Sequence, residues 1–564
     1  MKKSSWAQLI IELLIAQGAD YFCCAPGSRS SPLLMAIAKH PLAKHLVHFD
    51  ERGLGFHAVG YSKATKNIAV VVVTSGTAVG NLLPALMEAD QDEIPLILLT
   101  ADRPPELQQC GANQTCDQVK LFSNCVRWQV DLPCADAALS ASYLGSTISY
   151  GVMRARALKG PVHINCQLRE SFFAQGPYEK KDVVYSYGKL TPSQEDIENW
   201  AEKLGGIEKG VLLAGSGSEG ESLFTLAEKL QWPVVADILS PLRSHAHPLL
   251  LSHHDLILKV KTDETIEAVV HLGNRFVSKT LDLWLQKQQL TYYLQVSDSF
   301  LRHDPSHRVT HRVQTSPSLF VQSLSHALPY KEPTLFCTAW QRWNTLAEEG
   351  INTFFSNHPS LSELSVIASL PSFLSSEWAL FLGNSMPIRD ANQLLSFKKS
   401  VGPLFANRGV SGIDGNIATA AGIAQGCEKN TCVVLGDLAL LHDLNSLALL
   451  KNLKYAIVIY VINNGGGGIF SFLPFSEKKE HLEKFIAASH GVNFKAAAAL
   501  FNLPYFHPQT QEEFETVLIQ QRKEPTTCLI EITTNREENL QIHHQLQYSV
   551  ATCLTEKRPL QAVK

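Results

Sequence analysis

Cysteine is scarce in this chain and poorly placed for metal or redox chemistry. Twelve cysteines occur in 564 residues, no two at C-x-x-C spacing, and only Cys23 and Cys24 are adjacent. That excludes a zinc ribbon and a thioredoxin-like motif, and it is too sparse for a disulfide scaffold, so reduced thiols are expected. Net charge is nearly absent as well: 49 Lys and Arg face 53 Asp and Glu, for −4 overall. A generally basic nucleic-acid binder is thereby excluded. Long apolar runs are also missing. The best, Tyr455 to Ile462, falls far short of the roughly 20 residues that span a bilayer. Lys2 and Lys3 precede Leu9-Ile10-Ile11 in the manner of a leader, but Glu12 interrupts the run and no cleavage site follows cleanly. An amphipathic first helix in a soluble, cytoplasmic protein is the expectation.

What is present is ordinary globular composition, 45% hydrophobic and 18% charged, over a length that suggests about three or four domains. Short β-branched runs alternate with helical patterns from residue 20 to 100. Strand candidates are Asp20–Cys24, Leu46–Phe49, Ile68–Thr74 with its four valines, and Pro95–Thr100. Such alternation predicts α/β domains with mainly parallel sheets. In these sheets ligands sit beyond the carboxyl ends of the strands, which singles out Gly27, Ser28, Arg29, Glu51, Ser75, Asp102 and Arg103. A polar, Pro-bearing stretch at 176–195 reads as a linker. Strands at Val211–Ala214 and Val234–Ala236 follow. After a weaker seam near 325–334 come Ala379–Leu382, Thr431–Leu435, Ala456–Ile462 and Thr527–Ile532. Three domains are expected at 1–185, 186–335 and 336–564.

The sharpest chemical signal lies in the third domain. Gly436-Asp437 ends one apolar strand, and Asn463-Asn464 ends the next, 26 residues later. On adjacent strands Asp437 and Asn464 stand side by side. With a backbone carbonyl near Gly466 they offer the oxygen ligands that magnesium prefers when it bridges to a phosphate. The run Gly465 to Gly468 lets backbone approach a diphosphate closely. The plainer alternative is a helix-capping Asp and an Asn-Gly turn, each common alone.

Gly436-Asp437 with Asn463-Asn464 resembles the cofactor motif of the thiamine-diphosphate-dependent decarboxylases and synthases. Most of that family has Gly where this chain has Leu438. The exception is the branch that adds a succinyl unit to isochorismate in menaquinone biosynthesis. Similarity to that branch is dense at APGSRSSPL (25–33), DERGLGFHAVG (50–60), TSGTAVGNLLPALMEA (74–89), LTADRPPEL (99–107), GANQ (111–114), GPVHIN (160–165), GNSMPIR (383–389), NRGVSGIDG (407–415) and HDLNSLALL (442–450). It spans both ends of the chain and thins in the middle.

The resemblance implies a thiamine-diphosphate-binding fold whose first domain holds the pyrimidine and whose third holds the diphosphate, with Mg2+ or Mn2+ bound by Asp437, Asn464 and Gly466. It implies that Glu51 assists the cofactor's proton relay at N1′ of the pyrimidine; a carboxyl shielded from water shares its proton more readily with a ring nitrogen. Ile413 would support the bent cofactor from below. Ser75, Gly76, Thr77, Ser385 and Gly436 complete the implied cofactor contacts. Because the family builds each site from two chains, a homodimer or dimer of dimers is implied, with Glu51 and Asp437 acting across its interface.

The implied substrates, 2-oxoglutarate and isochorismate, are both dicarboxylates, and arginine grips carboxylates bidentately. Arg29, Arg103, Arg389 and Arg408 all follow strand candidates inside matching motifs. Ser385 and Arg389 are assigned to the succinyl carboxylate. Ser28, Arg29, Arg103 and Gln114 are assigned to the isochorismate side, and Asn113 adds a neutral hydrogen bond to the substrates. Lys279 matches one half of a family Lys-Arg pair, whereas Thr280 replaces the arginine. The alternatives are a related 2-oxoacid enzyme with another acceptor, which an apolar pocket would favour, and a non-catalytic paralogue, for which a retained Glu51, Asp437 and Asn464 have no use.

Four further motifs are read as structural. Gly215 to Gly220 fits G-x-G-x-x-G after a strand, with Asp237 ending the next one, the context of a dinucleotide fingerprint. A plain strand-to-helix turn is preferred, because this domain in the resembled family generally carries no catalytic cofactor. His253-His254 and His543-His544 lack the i, i+4 spacing of a helical metal site. Lys478-Lys479-Glu480 reads as solvated helix surface.

Overall fold

The computed structural model describes residues 5–136, 138–169, 183–218, 220–473 and 479–555. The first part of the expected linker, Glu219 of the glycine-rich motif and Lys478 lie outside them. Three parallel sheets organise the chain. The first contains β1 (Tyr21–Cys24), β2 (Lys44–Val47), β3 (Ala69–Val73), β4 (Leu96–Asp102), β5 (Trp128–Leu132) and β6 (Pro161–Gln167), in the spatial order β2-β1-β3-β4-β6-β5. The second contains β7 (Gly210–Ala214), β8 (Val234–Ala236), β9 (Ala268–Leu272), β10 (Tyr292–Ser297) and β11 (His311–Gln314), ordered β11-β10-β9-β7-β8. The third contains β12 (Trp378–Leu382), β13 (Leu404–Phe405), β14 (Asn430–Gly436), β15 (Ile457–Asn463), β16 (Tyr505–Phe506) and β17 (Cys528–Thr533), ordered β13-β12-β14-β15-β17-β16.

Counted within its own sheet, the third order repeats the first, although the two stretches share no visible sequence period. Strands β3, β4 and β15 are buried along their whole length, as expected where helices cover both faces and no polar alternation is needed. In both six-stranded sheets the order reverses beside the first strand, between β1 and β3 and between β12 and β14. Ligands collect at such switch points.

The first and third sheets are locked together within one chain. Helix Glu51–Thr65 crosses helix Asn416–Cys427 so closely that a Cβ at Gly60 would lie 2.0 Å from the Thr419 carbonyl oxygen. One at Gly422 would lie 2.1 Å from that of His57. Glycine is required at both positions by the approach of the two backbones. The first helix, Trp6–Ala16, is amphipathic with a narrow open face: Trp6, Ala7, Leu9, Ile10, Ile11, Leu13 and Leu14 are buried, Gln8, Glu12, Ile15 and Ala16 line the other side, and Ser5 with Gln8 closes a capping box at its start. Among the described residues no helix is long and apolar enough to cross a membrane.

Candidate active site

The carboxyl edge of the first sheet gathers one group of the expected residues. Ser75, fully buried after β3, donates from Oγ to the Gln114 carbonyl at 3.0 Å, while Gln114 Nε2 donates back to the Ser75 carbonyl at 3.0 Å. Arg103, just after β4, donates to Ser75 Oγ. Gly76, at φ +81°, donates its N–H to Gln118 Oε1 at 3.0 Å, and Gln118 in turn donates to Asn165 Oδ1 at 2.8 Å. Arg29, after β1, is buried and donates to the Leu168 carbonyl at 2.8 Å. Ser28, Thr77 and Asn113 are exposed beside this group.

Glu51 opens helix Glu51–Thr65, whose first N–H groups are capped by the Asp50 carboxylate accepting from Arg52 and Gly53. Its side chain is only half-buried in the single chain. It borders a cavity of about 380 Å³ shared with Phe49, Asp50, Arg52, Asn81 and Asn445. Around it Val47, Phe49, Leu83 and Met87 are exposed to between 39% and 63%, more apolar surface than an isolated strand end and helix normally display.

The third sheet supplies the other group. Asn384 Nδ2 donates to the carbonyls of Asn407 and Gly412, and its Oδ1 accepts from Arg408 at 2.8 Å. Ser385 follows at φ +74°, a strained conformation for a residue with a Cβ and one that tends to persist at functional sites. Arg389 donates to the Ser385 carbonyl. Burial pushes the Arg389 guanidinium below its ordinary value, and burial together with Arg389 does the same to Arg408. Two half-buried cations close enough to repel each other are poised for an anion. Ile413 is half-buried against the core shared by the two domains. Lys279 is exposed in the first turn of helix Lys279–Lys287 beyond β9, with Thr280 beside it.

Strands β14 and β15 are neighbours, with Gly436 opposite Ile462, so Asp437 and Asn464 lie at one sheet edge. Asp437 is buried; Gly466 N–H donates to its Oδ2 at 2.8 Å, and His490 Nε2 lies 3.1 Å from the same oxygen. Asn464 Nδ2 donates to Glu363 Oε1 at 3.0 Å, which leaves Asn464 Oδ1 buried with no partner. An orphaned amide oxygen beside a buried carboxylate fits a hard divalent cation. Among the described residues no cluster of three or more His, Cys, Asp or Glu offers a softer metal an alternative. The glycine run behaves differently from expectation. A Cβ at Gly436 or Gly465 would meet open space, but one at Gly466 would lie 2.3 Å from the Ala487 carbonyl oxygen. Gly466 and Gly467 therefore serve close packing within the chain, and only the start of the run faces outward.

Two arrangements escaped the sequence reading. Glu88, fully buried, accepts from the consecutive N–H groups of Gly409 and Val410 at 2.9 Å each. Lys63 Nζ donates to Glu88, to the Ala406 carbonyl and to Asn407 Oδ1, and pairs with Asp92 at 2.7 Å. Burial alone would lower the Lys63 ammonium, but Asp92 and Glu88 hold it above its ordinary value. The first domain thus fixes the loop that carries Arg408 and Ile413. Nothing in the spacing of Lys63 and Glu88 signals this long-range tie.

The second arrangement is His543, which gives Nε2 to Asp390 at 3.0 Å and Nδ1 to the Asn539 carbonyl at 2.8 Å. Both nitrogens meet acceptors, so the ring is doubly protonated. Burial opposes the charge, yet Asp390 raises the net pKa above the ordinary 6.5. A raised folded value contributes stability that is complete below the unfolded pKa and disappears as pH climbs through the folded one. His543→Gln is therefore expected to lose stability relative to the unsubstituted protein near pH 6, with the gap narrowing at higher pH in urea unfolding series.

The glycine-rich turn after β7 is packed shut at its first glycine, while Gly217 and Gly220 border a cavity of about 940 Å³. A Cβ at Gly215 would lie 2.2 Å from the Asn274 carbonyl oxygen, and Asn274 N–H donates to the Ser216 carbonyl at 2.7 Å. Asp237, the residue a ribose would need, already accepts from Leu239 and Val277 N–H groups.

Comparison with known proteins assigns the class first. The chain matches the family models for the thiamine pyrophosphate enzyme N-terminal TPP binding domain over residues 5–121, the middle domain over 174–382 and the C-terminal TPP binding domain over 385–532. The benzoylformate decarboxylase of Polynucleobacter necessarius shares the fold, with a TM-score of 0.74 at 16% identity over 95% of this chain and 99% of that one. Among curated proteins, the 2-succinyl-5-enolpyruvyl-6-hydroxy-3-cyclohexene-1-carboxylate synthase of Rubrobacter xylanophilus is 38% identical, covering 96% of this chain and 97% of its own length. That of Salinibacter ruber is 38% identical over 98% and 97%. The chain belongs to this synthase family.

Proposed function

We infer that the chain is a thiamine-diphosphate-dependent transferase. It decarboxylates 2-oxoglutarate and adds the succinyl unit 1,4 to isochorismate, giving 2-succinyl-5-enolpyruvyl-6-hydroxy-3-cyclohexene-1-carboxylate and CO2 in menaquinone biosynthesis. The observation that carries this reading is the likeness to synthases of that name along nearly the whole chain. When bound, thiamine diphosphate supplies the electron sink for the acyl carbanion equivalent left by decarboxylation.

The chain's own residues bind, orient and move protons. Asp437, Asn464 Oδ1 and the Gly466 carbonyl would hold Mg2+, a role supported by the orphaned Asn464 oxygen. Ser75, Gly76, Thr77, Ser385, Ile413 and Gly436 would line the cofactor. The Glu51 carboxyl would hold the proton at N1′ of the pyrimidine. Ser385 and Arg389 take the distal carboxylate of 2-oxoglutarate, and Arg408 adds charge beside them. Ser28, Arg29, Arg103, Asn113, Gln114 and Lys279 face isochorismate. A second copy of the chain would cover the half-open Glu51 and the apolar rim of Val47, Phe49, Leu83 and Met87, so a homodimer or a dimer of dimers is the assembly proposed. The cytoplasm is the compartment proposed, consistent with all twelve cysteines being free thiols.

Incubating the purified protein with thiamine diphosphate, Mg2+, 2-oxoglutarate and isochorismate should release CO2 and yield an adduct of the expected mass; CO2 release without an adduct would favour another acceptor. Arg389→Ala is expected to raise KM for 2-oxoglutarate about ten- to hundredfold, the usual loss for truncating a charge-assisted hydrogen bond. Cofactor affinity should stay unchanged. Unaltered steady-state constants would contradict the carboxylate role.

A further inference from the structure

Asn464 has two chemically opposite ends, and only its oxygen can ligate a cation. Something must decide which end faces the metal. We propose that Glu363 is a positioning residue for the metal site, holding the Asn464 amide so that Oδ1 points to the cation. This rests on the metal reading above and deepens it.

Glu363 opens helix Glu363–Phe373 and is buried to 4% exposure. Its Oε1 accepts from Asn464 Nδ2 at 3.0 Å and from Thr534 Oγ1 at 3.1 Å. Thr534 follows β17, and its N–H donates to the Asn463 carbonyl at 3.0 Å, so one oxygen gathers the ends of β15 and β17. Glu363 Oε1 already accepts from both of these groups, so it turns lone pairs and no proton toward the amide. Only the NH2 end of Asn464 can face Glu363, and the oxygen is turned the other way, where it lies buried without a partner. Burial pushes the Glu363 carboxyl up to about 7, and the charges beyond these bonds, Asp390 raising it and His543 lowering it, already form a pair with each other. Among the described residues no Lys or Arg pairs with Glu363, so a buried carboxylate is left without a dedicated cation. No short sequence motif marks Glu363, which lies between the motif segments quoted above.

The test is a double-mutant cycle on the full-length enzyme. Glu363→Gln, Asn464→Ala and the double variant are stripped of metal and titrated with Mg2+ at fixed thiamine diphosphate, with binding read from tryptophan fluorescence. Glutamine at 363 can accept or donate, so it no longer dictates the orientation of Asn464. Glu363→Gln should raise the Mg2+ requirement about ten- to hundredfold, the range for groups directly behind a metal ligand. In the Asn464→Ala background the same change should add nothing. Thr534→Val, which removes the other hydrogen bond to the same oxygen, should shift the Mg2+ requirement in the same direction by less. It serves as the test if Glu363→Gln does not fold. An unchanged Mg2+ requirement in Glu363→Gln, or effects that multiply in the double variant, would overturn the proposal. If Asn464→Ala alone leaves Mg2+ binding intact, the metal assignment itself falls, and Glu363 loses its role with it.

Discussion

Glu51→Gln should abolish turnover while leaving thiamine diphosphate bound. The substitution keeps the size and the hydrogen-bonding reach of the side chain and removes only its acid. A positioned proton donor contributes about 10²- to 10⁴-fold, so the loss should be no smaller than the lower figure. Retention follows from where the cofactor would be held: its diphosphate end would sit at Asp437 and Asn464, at the edge of a different sheet. The Asp50 cap, which accepts from Arg52 and Gly53, should keep the helix start intact in the variant. Turnover measured beside cofactor binding by fluorescence separates the two effects. Normal activity would remove Glu51 from the proton relay.

Asp437→Ala should produce the opposite pattern, with cofactor binding lost first and turnover lost as a consequence. Asp437 is the only carboxylate among the three proposed ligands, and it also accepts the Gly466 N–H that positions the third. Its removal takes away both a ligand and the order of the loop. Altering groups behind a ligand already costs about ten- to hundredfold, so a direct ligand should cost at least about a hundredfold in Mg2+-dependent affinity. Unchanged affinity would place the metal elsewhere.

The parallel sheets were legible because apolar strands buried on both faces leave unbroken runs. Val234–Ala236 matches its strand to the residue, and Ile68–Thr74 encloses β3 with one residue to spare at each end. Strands that carry polar side chains were not legible. In β6, His163 and Asn165 interrupt the run because they hydrogen-bond with Thr100. In β9, His271 does so because it binds the Asn274 carbonyl. Short edge strands such as β13 and β16 leave no periodic signal at all. In the candidate site the same division holds. Asp437 and Asn464 could be paired because each directly ends its own strand run. Lys63, Glu88 and Glu363 act on loops more than 100 residues distant in one or more contacts, Lys63 and Glu88 on the loop at 406–410 and Glu363 on Asn464. Tertiary proximity of that kind leaves no mark on spacing.

Glu51 of one chain and Asp437 of its partner are proposed to serve the same cofactor. Co-expression of Glu51→Gln and Asp437→Ala chains carrying different tags, with purification of the mixed dimer, tests it directly. Each variant alone should be inactive. In the mixed dimer one site receives both substitutions and the other receives neither, so about half of the unsubstituted turnover should return. If the two residues instead serve one site within a single chain, both sites of the mixed dimer stay damaged, and a mixed dimer with no activity would contradict the account.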